Sequence, residues 1–161
     1  MKINLIKSVC AALVISLGGS VSAWSAPYDK GQQVAAFQAK DQHEQAFTLK
    51  PADTRFLLVS HDMETGKRAN AVLTTVGPDN LAKQKVVFLA NIHGMPAVGR
   101  MFALPKMKKY SHRIILGDDA ELIARFPTEA GKVTVLALSG GKITSVKYWT
   151  PGTDALDGYL K

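Results

Sequence analysis

Cysteine is nearly absent: the chain has one, Cys10, and none in the 151 residues that follow it. No small-residue lipobox precedes it, since its neighbours are Lys7-Ser8-Val9. Without a thiol beyond residue 10, a folded domain can carry out neither thiol–disulfide exchange nor cysteine peroxidase chemistry, and it must be held together by its core alone. Long apolar runs are missing too. The stretch Val9 to Leu17 is the nearest approach, far short of the roughly 20 residues a membrane-spanning helix needs. A glycine-rich phosphate loop is lacking, because Gly94 and Gly99 are too few and wrongly spaced for a dinucleotide or phosphate fingerprint. No internal repeat, low-complexity tract or interdomain linker divides the chain.

What is present begins with an export pattern. Lys2 and Lys7 precede the apolar run, and small residues ending Val21-Ser22-Ala23 follow it, the arrangement of a cleavable secretory signal. We expect cleavage after Ala23, leaving Trp24 first. The other site, after Ala26, would put Pro27 just past the cut. The expected division is therefore residues 1–23 as signal peptide and residues 24–161 as one domain, periplasmic and monomeric. With 47% hydrophobic and 20% charged residues, the composition is that of a globular protein with a real core. Loss of Lys2 and Lys7 would lower the net charge from +7 to +5. Much of the excess clusters in Lys106, Lys108, Lys109 and Arg113, with Tyr110 and His112 interleaved. A solvated helix carboxyl end accounts for it better than a nucleic-acid patch, because cations are favourable there.

Periodicity predicts a β-hairpin over Gln33 to Leu49, turning at Asp41-Gln42-His43-Glu44, and a buried central strand over Arg55 to Ser60. The Ala69, Val72, Leu73, Val76 spacing then predicts a helix ending near Gly77-Pro78. Lys85 to Ile92 reads as a second buried strand. Gly94 to Tyr110 is helical in pattern with a break at Pro105, giving two short helices. A third strand is expected at His112 to Leu116, a turn and cap at Gly117-Asp118-Asp119, and a short helix at Ala120 to Phe126. Val133 to Leu138 and Ile143 to Trp149 are close enough to form a hairpin. Thr153 to Leu160 reads as a closing helix. Strands alternating with helices imply parallel pairing, and the hairpins add antiparallel edges, so the sheet is mixed and covered by helices.

Four stretches carry a resemblance. They are Phe37 to Leu49, similar to an opening F-x-L-x-D-x-x-G-x-x-x-x-L; the Phe56 to Ala69 junction; Lys109 to Asp118, similar to K-Y-x-x-P-x-x-x-D; and Val133 to Ile143, similar to P-T-x-x-x-I-D-x-x-G-x-I. In this order they resemble the thioredoxin-like superfamily in its redoxin variety, the peroxiredoxins and periplasmic thiol-disulfide reductases. The resemblance runs from about Gln33 to the carboxyl terminus and implies an α/β fold with a central mixed sheet. It also implies a redox pair at the strand–helix junction, where the helix amino terminus stabilises a thiolate. Here Met63, Glu64, Thr65 and Gly66 occupy that place. A thioether neither ionises nor forms a disulfide. Val133 stands where the family has a cis-proline, and a cis bond before a non-proline residue would cost about 2.5–4 kcal/mol, so a trans bond is expected. The fold is kept and the redox site dismantled.

The functional expectation follows from that loss. A binding or accessory module would hold a peptide, a partner protein or a small ligand with His61, Asp62, Met63, Glu64, Thr65, His93, Met95 and Val133, at the strand ends where open α/β sheets place ligands. A second class is soft-metal handling: His61, Met63, His93 and Met95 offer imidazole and thioether donors that suit copper. Against it, Met63 and Met95 would pack under the loops, and no tight ligand spacing is present. An enzyme of unrecognised chemistry stays open. No other cofactor and no nucleic-acid partner is expected. Met95, Met101 and Met107 are six apart, which on one straight helix points them in three directions; Met101 and Met107 are expected in the core beside Leu104. Ser60-His61-Asp62 holds the letters of a hydrolase triad, but strand neighbours point to opposite faces and cannot form the relay. Glu64 with Lys67 or Arg68 is a plausible pair on the first helical turn.

Overall fold

A computed structural model describes residues 26–161. The expected signal peptide and the cleavage after Ala23 lie outside the described residues.

The hairpin near the start is formed by β1 (Gln38–Asp41) and β2 (Ala46–Thr48), with Gln38 opposite Thr48. Asp41 closes its turn: one carboxylate oxygen accepts the N–H groups of His43 and Gln45 at 2.9 and 3.0 Å, and the other takes Arg113 Nε–H at 2.8 Å. The central strand β3 (Phe56–Ser60) is buried along its whole length. It pairs parallel with β4 (Val86–Asn91) and antiparallel with β6 (Val133–Ser139). With β5 (Ile115–Gly117) and β7 (Lys142–Trp149) the sheet has seven strands in the order β2-β1-β5-β4-β3-β6-β7. The β6–β7 turn uses Gly140 and Gly141 at φ +57° and +83°, the left-handed pair a tight hairpin demands.

Burial on both faces follows from alternation along β3. Phe56 and Leu58 join one cluster with Ala69, Leu73, Phe88, Trp149 and Leu160; Leu57 and Val59 join the other with Leu49, Leu89, Leu122 and Leu136. The first face is covered by α1 (Met63–Val76) and the short α2 (Pro78–Lys83), the second by α4 (Ala120–Ala124) and the amino-terminal segment. Helix α1 starts where the Asp62 side chain accepts the Thr65 N–H and stops at Gly77, whose φ of +84° suits glycine.

The structure departs from expectation at several points. Pro78 opens α2, a helix hidden because the same residue is a stop signal for α1. Helix α3 (Ala97–Met107) runs through Pro105 as one helix. The bond Pro105 cannot donate would have gone to the exposed Met101, and the turn beyond closes with Lys108 N–H to Leu104 O at 3.1 Å. The third strand begins at Ile115 rather than His112. The buried Gln42 side chain bonds the His112 carbonyl and the Ile114 N–H, each at 2.8 Å, and takes the place of a neighbouring strand. At the carboxyl end only Leu156–Gly158 form a 3-10 turn. Asp154 is drawn away from capping a helix: its carbonyl accepts Trp149 Nε1–H, and its carboxylate takes the Tyr159 hydroxyl, both at 2.9 Å. Met101 is 63% exposed rather than core, while Met107 packs against the first cluster.

Candidate functional site

The junction after β3 is built by two side chains working on backbone. Asp62 accepts the Thr65 N–H at 2.8 Å on one oxygen and the Thr65 hydroxyl at 2.7 Å on the other. Burial opposes ionisation, but these bonds, the Glu64 N–H and the charge of Arg68 outweigh it and hold the carboxyl below the ordinary aspartate range. Asn91, at the end of β4, donates Nδ2–H to the His61 carbonyl at 3.1 Å and accepts the His93 N–H at 2.9 Å. It fastens the β3–α1 turn to the β4–α3 loop.

His61 faces β6. Its Nε2 lies 3.1 Å from Thr134 Oγ1, whose own proton goes to the Pro127 carbonyl at 2.5 Å. The hydroxyl can therefore only accept, so Nε2 carries the imidazole proton. Burial pushes the His61 pKa down, against the Pro127 carbonyl and the Asp62 charge. Val133 is fully buried and pairs with Ser60, and no cis peptide occurs among the described residues.

Beside this junction lies a cleft of about 410 Å³ between α1 and α3. Ser60, Ala90 and Asn91 form its floor; Met63, Glu64, Lys67 and Asn70 come from the α1 side; Met95, Phe102, Lys106, Met107 and Tyr110 come from the other. Of the expected site residues, Asp62, Met63, Glu64 and Met95 meet there. Thr65 is buried under the helix start, and His61 and His93 do not line the cleft. The two thioethers of the expected copper set line this cleft from opposite sides, without the two imidazoles. Among the described residues no group of three or more His, Cys, Asp or Glu could hold a metal ion. Met63, expected under a loop, is 63% exposed. Among the described residues no ion pair joins Glu64 to Lys67 or Arg68.

Sequence reasoning missed the far wall. Helix α3 buries no residue, and Val98, Met101 and Phe102 are each 63% exposed. It is anchored by Arg100, which binds both Asp118 carboxylate oxygens at 2.5 and 2.6 Å and the carbonyls of Ile92 and Met95 at 3.1 Å. The Arg100 hydrogen bonds hold the Asp118 carboxyl below its usual range, against some desolvation. Every methionine after Met1 belongs to this region: Met63, Met95 and Met107 line the cleft, and Met101 lies on α3.

Behind Asn70 sits His112, 2% exposed, its Nε2 at 2.8 Å from Asn70 Oδ1. An amide oxygen only accepts, so Nε2 donates in this bond. His112 Nδ1 has no partner, and burial pushes the pKa down.

No protein-family model matches the chain, and no curated protein matches it. Solved structures do. A peroxidoxin, BcpB, from Mycobacterium tuberculosis is 14% identical with a TM-score of 0.56, covering 82% of this chain and 94% of its own. A thio-disulfide isomerase from Thermus thermophilus is 22% identical with a TM-score of 0.52, covering 83% and 95%. The thioredoxin domain of a thiol-disulfide oxidoreductase from Bacteroides vulgatus is 12% identical with a TM-score of 0.53, covering 83% and 99%. The fold is thioredoxin-like, and the described residues hold no cysteine.

Proposed function

We propose that this chain is an exported, non-redox binding module that holds the apolar part of a ligand or partner in the cleft between α1 and α3. The observation that carries the reading is the retained strand–turn–helix with Met63 to Gly66 in the redox position, opening onto a cleft of about 410 Å³. That volume lies in the range of small-molecule sites, and such sites are lined mainly by apolar side chains with a few polar groups. Methionine suits the task, since its flexible thioether adapts to different apolar shapes.

Export rests on the residue pattern of positions 1–23. Among the described residues no helix is long and apolar enough to cross a membrane. Intact mass of the protein recovered from the periplasm should correspond to a chain beginning at Trp24.

The cleft is tested with the neutral fluorescent probe N-phenyl-1-naphthylamine. Saturable one-to-one binding, weakened by Phe102→Ser, is the expected result. Absence of saturable binding to the folded protein overturns the reading.

A further inference from the structure

Sulfur is confined to one part of the chain. Beyond Cys10 there is no thiol, and the four methionines after Met1 all fall between residues 63 and 107. Three of them, Met63, Met95 and Met107, line the cleft, and Met101 lies outside it on α3. They differ in access. Met63 and Met101 are each 63% exposed, whereas Met95 and Met107 are half-buried. Met107 packs against the first core cluster. Met95 lies against α3, where a Cβ added at Gly99 would stand 3.1 Å from its Cγ and 3.7 Å from its Sδ. Among the described residues, Met63 is thus the one thioether that both lines the cleft and stands open to solvent.

Its place is also fixed. Met63 is the first residue of α1, directly after the Asp62 cap that holds the helix start. A change in its chemistry therefore stays on the cleft wall. Hydrogen peroxide makes such a change in one step: the sulfur lone pair attacks a peroxide oxygen, the O–O bond breaks, that oxygen remains on sulfur and the other leaves as water. Sulfur gives up two electrons and the peroxide takes them. Unlike a thiol, a thioether has no proton to lose first. The sulfoxide is polar where the thioether was apolar. Facing the apolar part of a ligand, it gives an acceptor with nothing to accept.

We infer that Met63 is an oxidation site that controls the cleft: a peroxide converts it to the sulfoxide and so lowers the affinity of the cleft for an apolar ligand. This rests on the cleft being the binding site proposed above. The change is reversible. Enzymatic reduction by a dithiol removes the sulfoxide oxygen as water, leaves a disulfide and returns the thioether.

The test is a titration of the mature protein with hydrogen peroxide. Sulfoxide at each methionine is mapped by peptide mass spectrometry, and the affinity for N-phenyl-1-naphthylamine is read on the same samples. Met63 and Met101 should gain oxygen before Met95 and Met107. The dye should bind roughly tenfold more weakly once Met63 is converted, the scale of covering a polar group without a partner, while circular dichroism stays that of the untreated fold. Methionine sulfoxide reductases of both epimer specificities, with dithiothreitol, should restore binding. Met101→Leu should leave the loss as it is in the parent. Met63→Leu, compared with itself before and after peroxide, should hold its own affinity at doses that oxidise Met101. Should Met63→Leu bind no dye at all, Met101→Leu decides alone, because binding must then fall in step with Met63 sulfoxide. An affinity that survives full conversion of Met63, or that falls only as Met95 or Met107 is oxidised, overturns the assignment and leaves the apolar cleft standing. So does a loss that reduction does not reverse, or one that accompanies unfolding. Failure of the dye to bind the untreated protein overturns both readings.

Discussion

Helices α1 and α3 face each other across the cleft and are held in place by different physics. Helix α1 buries Thr65, Gly66, Ala69, Asn70 and Leu73, is capped by a side chain at its start and ends on a left-handed glycine. Helix α3 buries nothing, begins at Pro96 without a side-chain cap and carries a proline in its last turn. Its position depends on the Arg100 bonds to Asp118 and to two carbonyls, and on Met107 at its end. Packing against a sheet makes one wall part of the global fold. A wall with few buried apolar contacts opens at lower free energy. The cleft therefore has a fixed side and an adjustable side, and the exposed apolar residues Met101 and Phe102 lie on the adjustable one.

The largest test of that contrast is a pair of truncations. Leu73→Ala removes a fully buried side chain from α1 and should cost about 2–5 kcal/mol, whereas Phe102→Ala on α3 should stay within about 0.5 kcal/mol. Urea unfolding at neutral pH measures both. Similar losses would mean that α3 is packed as firmly as α1, and the distinction would fail.

The cap of α1 comes next. Asp62→Ala leaves the Thr65 N–H without its partner and should cost about 0.5–2 kcal/mol. The carboxyl of Asp62 titrates below its ordinary value in the folded protein, so its contribution is complete above the unfolded aspartate pKa of about 3.9. It is lost as pH falls through the lower folded value. The variant should therefore lose less stability than the parent on acidification through that window. A parallel acid profile would show that the cap bond is not what lowers the pKa.

A smaller and separate pH effect belongs to the histidines on the fixed side. Burial lowers the pKa of both His61 and His112, so the unfolded chain binds more protons. Stability is whole above the unfolded value of about 6.5 and declines as pH falls through the folded values. His112→Gln keeps a donor for Asn70 Oδ1 without a titrating ring, and it should flatten this decline in thermal melts collected from neutral pH downward. An unchanged slope would place the proton uptake elsewhere.

Much of the fixed side was legible in the sequence. The unbroken apolar run Phe56 to Val59, the helical spacing through Leu73 and the Gly77-Pro78 stop each report a local rule that the tertiary structure obeys. The Ser139 to Lys142 turn does the same for the second hairpin. The adjustable side was misread because helical spacing was taken to imply burial. Met101 and Leu104 have the separation of residues sharing a face, yet α3 buries neither of them. Local features account for the missed α2 and the shortened closing turn, whereas the late start of the third strand came from long-range bonds: Gln42, replacing a strand neighbour for His112 to Ile114, joins residues far apart in the chain. The cleft itself combines α1 with the chain from Met95 to Tyr110. Its methionines were visible in composition, but their meeting was not.

The most specific difference between the walls has the least effect on global stability. Arg100→Ala removes the clamp on α3 without touching α1, so the unfolding midpoint should barely move while amide hydrogen exchange accelerates from about residue 97 to residue 107. Exchange in α1 should stay as it was, because its protection comes from Ala69 and Leu73 in the core rather than from Arg100. Acid should imitate the variant. Asp118 is held below its usual pKa chiefly by its hydrogen bonds to Arg100. The clamp is therefore intact above the ordinary aspartate range and released as pH falls through the lower folded value. If α1 and α3 exchange at matched rates in both the parent and the variant, the clamp does not set the position of α3, and the cleft would have two fixed walls.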